Sequence, residues 1–63
     1  MILYEIILDS KVLWRKLSMD DSLSNKQKAI DKAKLLNIWH KPKEVKLIAT
    51  ILSVKSRGEV SYE

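Results

Sequence analysis

The sequence predicts an α+β domain. Two strands, a helix and a third strand follow in order, with a short fourth strand, and the helix packs on an antiparallel sheet. Three observations predict this. Val, Ile, Tyr and Trp crowd residues 2–17, a lysine-rich stretch with helical spacing fills residues 25–36, and residues 44–55 hold five β-branched side chains.

Residues 2–17, ILYEIILDSKVLWRKL, fold on themselves about a turn at Asp9-Ser10-Lys11. Leu8 then faces Val12, Ile7 faces Leu13, Ile6 faces Trp14, Glu5 faces Arg15 and Leu3 faces Leu17. An opposite-charge pair and an aromatic–aliphatic pair are cross-strand combinations that stabilise a hairpin, each by roughly 0.2–1 kcal/mol. One face carries Tyr4, Ile6, Leu8, Val12 and Trp14, and the other carries Leu3, Ile7, Leu13 and Leu17 around the Glu5–Arg15 pair. Helical spacing also fits Leu3, Ile6, Ile7, Ser10, Leu13, Trp14 and Leu17. The β-branched content and the turn favour the hairpin.

The polar SMDDSLS segment, residues 18–24, prepares a helix start. Ser24 and Gln27 have the spacing of a capping box. Asp20 and Asp21 stand just upstream, where a helix N-terminus favours negative charge. The helix runs from about Asn25 to Leu36, with Asn37 as a left-handed cap and Pro42 preventing extension. Ala29, Ile30, Ala33 and Leu36 share a face, and the two alanines let it lie close on a sheet. Residues 44–55, EVKLIATILSVK, form a strand that is apolar on both sides and therefore central or covered. Arg57-Gly58-Glu59 turns the chain, and Val60-Ser61-Tyr62 returns as a short edge strand.

The alternative architecture is all-α, as three helices or a winged helix-turn-helix. In it LSNKQKAIDKAKLLNIW, about a quarter of the chain, resembles the recognition helix of winged-helix regulators, and SVKSRGEVSYE resembles the wing. The resemblance carries over no functional residue.

Sixty-three residues make a single small domain, 1–63. A chain of this size buries only about 60% of the surface its unfolded form exposes. Cysteine is absent and His40 is the one histidine, so disulfides and Cys- or His-rich metal sites are excluded. Self-association is the remaining way to enlarge the core, and a homo-oligomer is expected. No apolar run is long enough for a membrane span and no signal peptide is evident, so a cytoplasmic protein without a membrane partner is expected.

No catalytic signature is present. His40 has no HxxxH or HExxH partner, no serine lies in a GxSxG elbow, and one glycine cannot build a phosphate-binding loop. Neither enzymatic activity nor a cofactor is expected. Binding is what remains, and charge locates it. Residues 1–25 carry −1, residues 26–46 hold seven lysines against Asp31 and Glu44 for +5, and residues 47–63 balance. Lys28, Lys32, Leu35 and Trp39 form one stripe at i, i+4, i+7 and i+11. Lys41, Lys43 and Lys46 extend it. Lysines neutralise phosphates and an indole stacks on a base, so these residues are the candidate nucleic-acid contacts. The same lysines also suit an ordinary solvated helix face, with Trp39 as a lid on the core. The hairpin has one apolar face more than a single helix covers, which makes Tyr4, Val12 and Trp14 candidate protein-interface anchors.

Two functions fit. The first is a small nucleic-acid-binding accessory or regulatory protein of the kind carried by viruses, phages or plasmids. The second is a protein-binding module or inhibitor that uses the apolar hairpin face.

Overall fold

A computed structural model describes residues 1–62. Its elements are β1 (Ile2–Leu8), β2 (Lys11–Ser18), α1 (Leu23–Trp39), β3 (Lys46–Ile51) and β4 (Ser56–Val60). The four strands form one antiparallel sheet in the order β2-β1-β3-β4, with α1 packed on one face. The α+β reading is correct, and the all-helical alternative is not. No helix among the described residues is long and apolar enough to cross a membrane.

The first hairpin keeps the predicted register over most of its length. Ile6 pairs with Trp14, Glu5 with Arg15 and Leu3 with Leu17. The turn end differs. Asp9 and Ser10 both take positive φ, 50° and 67°, and close a two-residue loop that leaves Lys11 paired with Leu8. Two-residue loops with φ > 0 at both central positions match the right-handed twist of the flanking strands. The tighter turn leaves one residue over in β2, and a bulge between the Ile7–Val12 and Ile6–Trp14 pairs absorbs it. Two predicted pairs, Leu8–Val12 and Ile7–Leu13, are thereby replaced. Val12 moves to the face of Ile7, away from the helix, while Leu13 joins Trp14 against the core.

The helix starts earlier and ends later than its spacing suggests. Its N-cap is Ser22, not Ser24: the Asn25 N–H donates to Ser22 Oγ at 3.3 Å, and Asp20 Oδ1 accepts from the Ser22 N–H and from Asn25 Nδ2, both at 3.0 Å. Those bonds hold the Asp20 carboxyl below its ordinary pKa, the Ser22 backbone contributing most. Gln27, freed from a capping role, donates to Asp31 four residues on. At the other end His40, not Asn37, is the cap, its N–H bonding Leu36 O.

The core lies between α1 and the inner face of the sheet. Ile2, Tyr4 and Ile6 of β1, Val45 and Leu47, and Ala29 and Ala33 of α1 are all buried. Leu8, Leu13, Trp14, Ile30, Leu36 and Val60 close it at the rim. The two alanines present only methyl groups to the sheet, which brings the helix axis close. Below the core the chain is tied by Tyr62, whose hydroxyl donates to Val45 O at 2.7 Å.

The second hairpin also departs from expectation. Residues 52–55 make its turn, Lys55 taking φ 53°, and Arg57-Gly58-Glu59 lies inside β4 rather than in a loop. Gly58 pairs with Ala49, and a Cβ added there meets no atom within 4 Å. Gly58 is thus a strand residue without a steric reason to be glycine.

Two substitutions check this packing in urea denaturation. Gly58→Ala should raise stability by about 0.5–1 kcal/mol, since glycine inside a strand loses more chain entropy. Ala33→Leu should lower it by about 1–3 kcal/mol, because the larger side chain must push α1 off the sheet.

Candidate nucleic-acid interface and the open sheet face

The lysine-rich helix presents its charges on two flanks. Lys26 lines a groove of about 230 Å³ on the β3–β4 side, together with Ala49, Gly58 and Val60. Lys28, Lys32, Leu35 and Trp39 lie on the other side of the Ala29–Ala33 line, toward β2, and of the four only Lys32 is half-buried. On β2 the inner-face residues are Trp14 and Lys16, paired with Ile6 and Tyr4 of β1. Lys16 and Lys32 are half-buried, and Lys28 is exposed. The α1–β2 flank therefore carries Lys16, Lys28 and Lys32, and Trp39, 77% exposed, follows on the same side of the helix seven residues past Lys32, at its C-terminal end.

The six expected nucleic-acid contacts do not form one patch. Lys28, Lys32 and Trp39 share this flank, and Lys41 follows just past the helix end. Lys43 turns to the hairpin tip, where its Nζ donates to Asp9 Oδ2 at 2.6 Å, and that contact raises the lysine's pKa. Both partners are about two-thirds exposed, so the pair contributes little to stability. Lys46 lies across the sheet: it pairs with Ile7 on the face away from α1 and lines a hollow of about 400 Å³ with Asp9, Glu44 and Arg57. Lys16 was not anticipated, although alternation along β2 from Trp14 would have found it.

The three expected interface anchors are also separated. Tyr4 is only 1% exposed and sits under the helix, with its hydroxyl donating to Asp21 Oδ1 at 3.0 Å. Trp14 packs against the core. Val12 alone is on the outer face, where the bulge places it. A hairpin residue that looks spare in sequence is thus covered when it lies on the inner side of the central strand.

Strand pairing sets the composition of the outer face. One row across the sheet is Arg15, Glu5, Ile48, Glu59; the next is Leu17, Leu3, Thr50, Arg57; a third is Val12, Ile7, Lys46. Arg15 Nη2 donates to Glu5 Oε2 at 3.1 Å. Glu5 is only 9% exposed, because Leu3, Ile7 and the neighbouring strands crowd it, while Leu17 is 52% and Val12 40% exposed. Among the described residues no group of three His, Cys, Asp or Glu side chains stands together as a metal site.

No protein-family model, curated protein or solved structure matches the chain.

Burial and the Asp21 contact raise the Tyr4 pKa to about 12, from 10.0. The folded state therefore holds the phenol proton more tightly than the unfolded state. This contribution to stability is complete below pH 10 and is lost as pH rises toward 12. Alkaline unfolding followed by circular dichroism should show stability falling across that window, and Tyr4→Phe should flatten the fall. An equally steep fall in the Phe variant would refute the assignment.

Proposed function

We propose that this chain is a small non-enzymatic binding protein of the cytoplasm that holds a nucleic-acid strand along the α1–β2 flank. The observation that carries the reading is that Lys16 of β2 and Lys28 and Lys32 of α1 lie on one flank, with an exposed Trp39 further along the same side of the helix. Two of these lysines stand one helical turn apart, close to the spacing of successive phosphates on a strand. Each neutralised phosphate releases counterions, which makes the binding salt-dependent. An indole offers a π-face on which any base can stack, a sequence-tolerant contact. Lysine dominates over arginine here, and lysine acts as a point charge rather than a bidentate fork. The flank therefore suits backbone recognition more than base readout.

Fluorescence anisotropy with labelled single-stranded and duplex oligonucleotides across a salt series tests this. With three lysines on the flank, log K should fall against log salt with a slope near −2 to −3. Lys28→Ala with Lys32→Ala should lower the slope by roughly 1.5–2 and weaken binding at least tenfold, with an unchanged circular-dichroism spectrum. Undiminished affinity in the double variant would contradict the assignment.

A second reading rests on a different surface. The outer sheet face exposes Leu17 and Val12 beside the half-exposed Leu3, Ile7 and Ile48, which suits a protein-binding module or inhibitor. Trp14→Ala is no test of it, because that side chain supports the core. Leu17→Lys is the discriminating change: it leaves the basic flank intact and should impair only a sheet-face partner.

A further inference from the structure

The outer sheet face is divided in polarity. Its β3–β4 half carries Lys46, Thr50, Arg57 and Glu59, with Ile48 at the boundary. Its β1–β2 half carries Leu3, Ile7, Val12 and Leu17 around the Glu5–Arg15 pair. We infer that the β1–β2 half is the seat of a second copy of this chain, in a two-fold, face-to-face dimer.

Charge pattern selects both the occupant and the arrangement. This half-face carries one acid and one base, so it has no net charge with which to attract a partner of opposite sign. It is instead complementary to itself. A two-fold axis running along the strands, midway between β1 and β2, lays each β2 over the partner's β1. Arg15 then lies over the partner's Glu5, Leu17 over the partner's Leu3, and Val12 over the partner's Ile7, each contact occurring twice. A two-fold axis across the strands at the same row sets Arg15 over the partner's Arg15 and Glu5 over the partner's Glu5, which repel. The residue pattern thus favours one isologous packing over the other. Aligned sheets in such a stack cross at about 30° with their side chains interdigitated.

The position of Glu5 fits this packing. The Glu5 side chain is 12% exposed, while the Arg15 side chain bonded to it remains 60% exposed. In the dimer that exposed cation is what the face presents over the partner's Glu5. The overlap is small, two strands of about seven residues spaced about 4.8 Å apart. It falls at the low end of specific interfaces, at or below about 1,200 Å² in total. The dimer is accordingly concentration-dependent, with dissociation on the order of micromolar or weaker. The β3–β4 half and both helices face solvent in it, so the basic flanks stay accessible and the inference does not depend on the nucleic-acid reading.

Sedimentation velocity over a concentration series from micromolar to millimolar tests it. The expected result is a rise from the 7.3 kDa chain toward twice that mass. Leu17→Lys and Val12→Lys, both at exposed positions, should each raise the dissociation constant at least tenfold with an unchanged circular-dichroism spectrum. Ile38→Lys, on the exposed side of α1, should leave it unchanged. A single-chain mass at every concentration, or a dimer whose constant neither sheet substitution moves, would overturn the inference.

Discussion

One helix has to cover a sheet wider than itself, and the rest of the structure follows from that mismatch. Four strands at about 4.8 Å spacing span roughly 19 Å, whereas a helix with its side chains is about 10–12 Å across. The seventeen residues of α1 give it ample length. Its width suffices only for the two middle strands. The buried set accordingly comes from β1, β3 and their approaches: Ile2, Tyr4, Ile6, Val45 and Leu47. The edge strands receive partial cover. On β2 this leaves Lys16 half-buried beside the helix, and on β4 it leaves open space above Gly58. Among the described residues, no element covers the reverse of the sheet.

Each uncovered zone has its own chemistry. The α1–β2 flank is cationic and bears an exposed indole. The outer face is electrically balanced and half apolar. A cationic zone gains from an anionic polymer, and a balanced apolar zone gains from a surface like itself. The two readings thus arise from one geometric shortfall and occupy opposite sides of the sheet. They do not compete for residues, since Lys28 and Lys32 sit above the sheet while Leu3 and Leu17 sit below it. Lys43 belongs to neither zone: its pair with Asp9 links the segment after α1 to the tip of the first hairpin.

Much of the fold was legible in the residues. The element order, the Glu5–Arg15 and Ile6–Trp14 pairs and the alanine face of the helix all followed from alternation and helical spacing. What escaped was local backbone chemistry. Asp9 and Ser10 adopt positive φ without a glycine or an Asn-Gly signal, so the tight turn and its compensating bulge were hidden, and with them the side of Val12. Ser22 and Ser24 are equally good caps by residue type; the Asp20 carboxylate, which also binds Asn25, decides for Ser22. Gly58 looked like a turn residue because glycine usually is one, yet Lys55 supplies the positive φ of that hairpin. Of the candidate site, the Lys28–Lys32–Trp39 stripe was visible from helical spacing alone. Its companion Lys16 depends on how β2 packs under α1, and the removal of Lys46 to the far face depends on the pairing of β3. Both are tertiary facts that no short window contains.

On the proposed function, the α1–β2 flank, not the sheet's outer face, meets the nucleic acid. Backbone amide resonances of the isotope-labelled chain, followed during titration with a single-stranded oligonucleotide at low salt, test it most directly. The account predicts that perturbed amides cluster at Lys16, Lys28, Lys32 and Trp39, that the Trp39 indole resonance moves with them, and that added salt reverses the shifts. Shifts confined to Leu3, Ile7, Leu17 and Ile48, or no shifts at all, would contradict it.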